Sequence, residues 1–397
     1  MLILRLIVAG IVVIALAARP GTGLGAAVAL CAAGVDVALG ASVGSAIHVV
    51  APMVVFLAAA LTLAATLERA GLGERVAAAL AARAGGSSFA LYAYVCIVCA
   101  ALTATVSLDG AVVLMVPVLL ALKRRHGAPF SPLFLGVVVV ANASSIAVPQ
   151  GNPTNLLIIA RLGISPTAFL VHMAGPGLIA AALCAGCVAV SERRRLAMRY
   201  GPAPSCARDP APPPAPPRGR LSAAERDAVL AFLAAALAGW VAPLLGVAPW
   251  WPFSAAVALA LIAAHKRPAA IVPWQIGVQI AATLVVVQAL GVPDLGRLGS
   301  TLPGLLLVAA TAGVAAALLN NLPVGASAVA LITAAPLGYA ASIGLAVGSL
   351  ATPQGSVATL LASELAGTDA PSPRTRLLAP LAAAAVLAAT LAAWLML

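Results

Sequence analysis

Two copies of the tripeptide Pro-Gln-Gly place polar groups inside long apolar stretches, at Pro149-Gln150-Gly151 and at Pro353-Gln354-Gly355. Proline removes a helical N–H group and glycine loosens the backbone, so each copy predicts a membrane helix that is unwound near its centre. Unwound backbone is tolerated at that depth only where it lines a cavity or contacts protein. A matched pair of such breaks, one in each half of a chain, is typical of secondary transporters built from two repeats.

Two other polar interruptions lie within the apolar stretches Phe89–Leu122 and Leu302–Pro336. They are Ser107-Leu108-Asp109-Gly110 and Asn320-Asn321-Leu322-Pro323. Each stretch is too long for one membrane crossing and too short for two complete ones. We therefore predict two re-entrant helical hairpins, whose tips stop near the middle of the membrane.

The four interruptions predict a binding site for oxygen-rich solutes. A half-helix begins after each one, and its free N–H groups and positive dipole end favour an anion or a neutral oxyacid. Asn152 and Ser356 are expected to cap the half-helices after the breaks, and Asp109 and Asn321 those after the hairpin tips. The alternative is that these polar groups only satisfy the broken backbone.

Two ionisable residues are candidates for coupling transport to an ion gradient. A carboxylate at membrane depth costs about 2.5–3.5 kcal/mol on insertion, so Asp109 is a functional candidate that could coordinate Na⁺ or carry a proton. Ser107 belongs to the same interruption. His172 is a candidate proton relay, although a single histidine in a spanning helix is more often a packed, hydrogen-bonded residue.

The composition indicates an integral membrane protein. Of 397 residues, 63% are hydrophobic and 8% are charged. The net charge of +11 comes from arginines in short segments between apolar stretches, where they orient helices, so no nucleic-acid partner is expected. The sequence contains no zinc-binding His/Glu motif, no G-x-S-x-G elbow and no nucleotide-binding loop, so we expect neither an enzyme nor a bound metal or cofactor.

The fold predicted is an all-α membrane protein of about ten spanning helices plus two hairpins. It consists of a first repeat at 1–190, a cytoplasmic linker rich in proline and arginine at 191–226, and a second repeat at 227–397. The first apolar stretch, Leu2–Ala18, is interpreted as a retained spanning helix. Each half has an odd number of complete crossings, so the repeats are expected to be inverted. Glu68–Arg83 predicts an amphipathic helix at the membrane interface.

With these motifs, nearly the whole chain resembles the ion transporter superfamily and, within it, the arsenical pump membrane protein family of arsenite efflux permeases. The segments that carry the resemblance are LDGAVVLMVPVLLAL, LLNNLPVGASAVAL and TPQGSVATLL. The segment GNPTN is similar to the GNPxN element of carboxylate and other anion permeases in the same superfamily. The resemblance implies an inner-membrane carrier with substrate ligands at Asn152, Thr154, Asn155, Asn320, Asn321, Ser356 and Thr359.

Three functions therefore compete. The first is efflux of arsenite or antimonite, the second is ion-coupled transport of a carboxylate or another small anion, and the third is cation–proton antiport. The coupling ion would be H⁺ or Na⁺. A homodimer and a soluble ATPase subunit are conceivable partners besides the lipid bilayer.

The arginine clustering yields a test of topology. In a background without the six native cysteines, one cysteine placed in the 191–226 linker should resist an impermeant thiol reagent in intact cells, and one beside Arg297 should be labelled. Labelling of the linker from outside would reverse the orientation of both hairpins.

Overall fold

The computed structural model describes residues 23–201, 221–263, 274–289 and 298–397, together with residues 5, 7 and 10–12. Most of the predicted span Leu2–Ala18, the proline run of the linker and Arg297 lie outside the described residues. Within those residues the regular secondary structure is helical, as predicted. The helices are α1 Gly23–Ala38, α2 Gly44–Arg69, α3 Leu72–Ala84, α4 Ser88–His126, α5 Phe130–Ser144, α6 Pro153–Leu162, α7 Pro166–Ser191, α8 Ala223–Leu244, α9 Trp250–Ala263, α10 Trp274–Ala289, α11 Leu302–Leu319, α12 Asn321–Leu331, α13 Ala335–Val347, α14 Val357–Ala366 and α15 Thr375–Leu395.

Seven helices among the described residues are long and apolar enough to cross a membrane. Five shorter apolar helices accompany them. The protein is therefore an all-α, multi-pass membrane protein. The predicted interfacial helix corresponds to α3, which buries one face through Ala77, Leu80, Ala81 and Ala84.

The chain reverses direction inside α4, at Ser107. This residue has the left-handed φ of 76° and ψ of 167°, which no helix contains. Tyr92, near the start of α4, packs directly on Gly136. Gly136 lies in α5, which begins only a few residues after the end of α4. A straight helix would separate Tyr92 from His126 by about 50 Å. The chain from His126 to Gly136 can span at most about 35 Å. The helix is therefore folded back on itself into a hairpin.

The second half has a hairpin of the same kind, formed by α11 and α12. Its tip is Asn320, which has a φ of 83°, and within the described residues only Ser107 and Asn320 have positive φ without being glycine. Gly313 packs against Gly348, and the hydroxyl of Thr352 donates to the Ala317 carbonyl, so α11 runs parallel to α13. Helices α11 and α13 can run parallel only if the chain between them runs back in the opposite direction, and α12 is the segment that does so.

The two helix breaks share a local design. Between α5 and α6, and between α13 and α14, the backbone forms short 3₁₀ turns and extended residues instead of α-helix. A Cβ atom at Gly151 would lie less than 3.0 Å from the Ser145 carbonyl oxygen, and one at Gly355 equally close to the Ser349 carbonyl oxygen. Only glycine lets the chain pass at these two positions.

Each half-helix that follows a break packs against the hairpin of the other half. Helix α6 lies against α12, and α14 lies against α4. The closing helices α7 and α15 pack against each other as well. This reciprocal arrangement brings both breaks and both hairpins into one central region, whatever the orientation of the repeats in the membrane.

The two glycines at the breaks provide a test of this packing. Gly151→Ala and Gly355→Ala should each lower the free energy of unfolding by about 1–3 kcal/mol, because the added methyl group overlaps a backbone carbonyl. The midpoint of thermal unfolding in detergent measures the effect. Gly186→Ala in α7 is the control, since open space surrounds that position. A Gly355→Ala variant as stable as the control would contradict the close approach.

Candidate functional site

The first break is held together by Ser145, Asn152 and Asn155. The Ser145 hydroxyl donates to the Asn142 carbonyl at 2.7 Å and accepts from the amide of Asn152 at 3.2 Å. The Asn155 amide donates to the backbone carbonyls of Ser145 and Val148, at 2.9 and 3.0 Å. These bonds satisfy carbonyl groups that the missing helical turn leaves open.

Asn152 also caps α6, as its position before Pro153 predicts. Its side-chain oxygen accepts from the backbone N–H of Thr154 at 3.0 Å and from the Thr154 hydroxyl at 2.9 Å. The first half-helix therefore has its orphan donors partly satisfied by protein.

The second break is held by the tip of the second hairpin. The Asn320 amide donates to the Gln354 carbonyl at 2.9 Å, and the backbone N–H of Asn321 donates to the Gly355 carbonyl at 2.8 Å. In the first half the corresponding bond runs from the Gln150 amide to the Ala104 carbonyl at 2.8 Å. In both halves, then, hairpin and break support each other.

Three predicted caps are wrong. Ser356 occupies the N-cap position of α14 but accepts no cap hydrogen bond there. After the hairpin tips, Ser107 accepts from the Gly110 N–H at 3.5 Å and Asn320 from the Leu322 N–H at 3.2 Å, in place of Asp109 and Asn321. The capping residue is the one with positive φ at the reversal, which local sequence does not reveal.

Several buried oxygen atoms at the breaks and tips have no hydrogen-bond partner among the described residues. They are Gln150 Oε1, Asn155 Oδ1, Asn321 Oδ1, Ser356 Oγ and Thr359 Oγ1. Buried polar groups usually have a partner, so these five atoms are candidate contacts for a ligand or a bound water. Amide oxygens suit a hard cation, whereas hydroxyls and uncapped N–H groups suit an anion.

Contacts between the halves place part of this set together. The methyl group of Thr154 lies against Gly325 on α12, one turn beyond Asn321. Ser356 and Thr359 stand at the start of α14, the helix that packs on the first hairpin. The arrangement thus joins the predicted ligands of the first half to the second hairpin and those of the second half to the first.

Asp109 lies two residues beyond the first hairpin tip, and only 5% of its surface is exposed. Its carboxylate forms no hydrogen bond or ion pair with the described residues, so no protein cation compensates its charge.

His172 lies away from the breaks and the hairpin tips. Its Nδ1 bonds the Ala168 carbonyl at 2.7 Å and its ring stacks on Tyr339, between α7 and α13. Neither contact joins it to a break or a tip.

Sequence reasoning missed Ser145 and its counterpart Ser349, whose hydroxyl donates to the Ala346 carbonyl at 2.8 Å. The signal was present, since both breaks have the sequence Ser-x-Ala-x-Pro-Gln-Gly.

Within the described ranges, no group of three or more His, Cys, Asp or Glu side chains is arranged to hold a metal ion.

Comparison with known proteins gives two findings. Residues 3–347 match the family described as Citrate transporter, a region that holds both hairpins and the first break and ends just before the second. Over 66 residues the chain is 38% identical to the inner membrane protein YbiR of Escherichia coli strain K12. That match covers 17% of this chain and 18% of that protein. Neither finding singles out the arsenite permeases.

The partner-free hydroxyl of Ser356 allows binding to be separated from stability. Ser356→Ala should raise the half-saturating concentration of the transported anion by roughly ten-fold, because a hydrogen bond to a charged ligand is lost. Its unfolding midpoint should change little. Ser342→Ala is the matched control, since it removes another buried, partner-free hydroxyl in α13, away from the break. Equal effects of both substitutions on affinity would exclude Ser356 as a ligand.

Proposed function

We propose that this chain, which belongs to the citrate transporter family, carries citrate or a related small carboxylate across the membrane by ion-coupled alternating access. The family assigns the chain to membrane transporters rather than enzymes. The substrate, the ligands and the coupling ion are our inference.

The observation that carries the proposal is the set of partner-free polar groups at the breaks. The first N–H groups of α14 lack a side-chain cap, and the hydroxyls of Ser356 and Thr359 are unbonded beside them. A carboxylate satisfies such donors and gains from the positive end of the half-helix dipole. Asn152 and Thr154 would contribute from the first half, with Asn155, Asn320 and Asn321 completing the site.

Asp109 supports coupling because its charge would repel a carboxylate in the same region. The two are compatible at membrane depth only when Asp109 is protonated or paired with a cation. Either state ties anion binding to H⁺ or Na⁺. The partner-free oxygens of Asn155 and Asn321 are suitable ligands for Na⁺, and Ser107 is close to Asp109 in the chain. His172 contacts neither a break nor a tip, so it would affect the coupling only indirectly.

Arsenite or antimonite efflux is a second candidate. Arsenous acid is neutral at physiological pH and would not be repelled by Asp109, and the elements Asn320-Asn321-Leu322-Pro323 and TPQGSVATLL resemble the arsenite branch. The family match supports the carboxylate instead. The one observation that favours cation–proton antiport is the carboxylate of Asp109, which has no partner among the described residues.

We place the protein in the inner membrane, as the description of the Escherichia coli relative suggests. A homodimer and an association with a soluble ATPase subunit remain predictions.

Reconstitution into proteoliposomes tests both the substrate and the coupling. Labelled citrate should accumulate under an inward H⁺ or Na⁺ gradient, and excess unlabelled carboxylate should compete, whereas arsenite should not. Accumulation of arsenite without citrate transport would replace the proposal by the second candidate.

In the same assay, Asp109→Asn should abolish gradient-driven accumulation, because the charge is lost while side-chain size is kept. Exchange of labelled for unlabelled citrate should persist. Asp369→Asn is the control, since that carboxylate pairs with Lys123 at 2.5 Å away from the breaks. His172→Gln should have a smaller effect than Asp109→Asn. Normal accumulation by the Asp109→Asn protein would show that the carboxylate has no role in coupling.

A further inference from the structure

A polar pocket of about 530 Å³ lies at the end of α7, remote from the breaks in sequence. Four arginines and one carboxylate line it: Arg193, Arg194, Arg195, Arg374 and Glu192. The first three belong to a single helical turn, Arg193–Leu196, and Arg374 directly precedes α15. The transport function described above uses none of these residues.

The charges in this pocket are unbalanced. Glu192 is buried and forms ion pairs with Arg374 and, at 3.2 Å, with Arg195. One carboxylate therefore holds two guanidinium groups in place, while Arg193 and Arg194 form no side-chain hydrogen bond or ion pair with described residues. Four positive charges against one negative leave a net charge of +3. The two exposed guanidinium groups of Arg193 and Arg194 are therefore free to bind an external anion.

Guanidinium groups bind phosphate through paired N–H donors, and several arginines around one pocket suit its multiple oxygen atoms. Glu192 is the one carboxylate among the described lining residues and is already paired with two arginines, so the described lining offers no unpaired negative charge to a choline or ethanolamine ammonium group. The chemistry favours a phosphodiester with net negative charge.

The surroundings favour a lipid as the source of that phosphate. Val190, which is 64% exposed, forms part of the pocket wall at the end of the apolar span Pro166–Ser191. Ile179 is exposed on the same face of α7 three turns away, with the exposed Ala182 and Gly186 between them. An apolar stripe therefore leads from the membrane interior to the arginines. An acyl chain lying on this stripe would bring its headgroup into the pocket.

We propose that this pocket binds the headgroup of an anionic phospholipid, with the phosphate held by Arg193 and Arg194 and the pocket pre-formed by the ion pairs of Glu192. Basic pockets beside the ends of membrane helices are suited to such lipids. The site is independent of the transported substrate.

The test uses the purified full-length protein in neutral detergent, with dioctanoyl phosphatidylglycerol as the probe. The lipid should raise the unfolding midpoint in a saturable way. Dioctanoyl phosphatidylcholine and inorganic phosphate should be much less effective. The double substitution Arg193→Gln/Arg194→Gln should weaken the apparent affinity for phosphatidylglycerol by at least roughly ten-fold. Both side chains are exposed and unpaired, so the variant should remain folded without lipid.

Arg69→Gln/Arg83→Gln removes the same charge from exposed positions at the end of α2 and in α3, and serves as the control. It should bind phosphatidylglycerol like the unmodified protein. Unchanged affinity in the Arg193/Arg194 variant, or an equal loss in the control, would overturn the site. Equal stabilisation by inorganic phosphate would overturn the lipid assignment, and equal stabilisation by phosphatidylcholine would overturn the requirement for an anion.

Discussion

The structure depends on one constraint, which is that backbone N–H and C=O groups at membrane depth must find partners inside the protein. Each break exposes several such groups at once. In the first half the side chains of Ser145, Asn152 and Asn155 bond them, and in the second half the hairpin tip at Asn320 and Asn321 does so. The hairpins are thus bonding partners of the breaks, through the Gln150 amide in the first half and through the tip itself in the second.

These bonds satisfy many of the polar groups at the breaks and tips, but a few donors and acceptors remain unbonded. In the first half the Asn152 amide caps the half-helix, whereas Ser356 makes no cap hydrogen bond at the start of α14. The two halves are therefore chemically different in spite of their matched geometry. The second half retains donors for an anion, and Asn155 and Asn321 retain acceptors for a cation. A carrier that moves an anion together with a cation needs both.

The reciprocal packing of α6 on α12 and of α14 on α4 has a mechanical consequence. A rigid displacement of either hairpin must alter the contacts of the half-helix that belongs to the other half. The predicted ligands of both halves are thereby linked, which would suit a site that changes its access from one side of the membrane to the other. The position of Asp109 just beyond the first tip places the candidate coupling group on an element that takes part in this packing.

The sequence by itself determined the membrane class, the all-α fold and the helix at α3, because apolar length and helical periodicity are local properties. The α-helix is interrupted at both Pro-Gln-Gly segments, as predicted, since proline and glycine act on the backbone where they stand. The tertiary structure alone decided which residues cap the helices after the hairpin tips, which oxygens stay unbonded and where His172 lies. Each of these features depends on which distant segment of the chain a side chain faces in the folded protein. Hydrophobic periodicity could not foresee that Glu192 would bind Arg374, nor that each half-helix would pack on the opposite hairpin, because both follow from how the two halves are placed around each other.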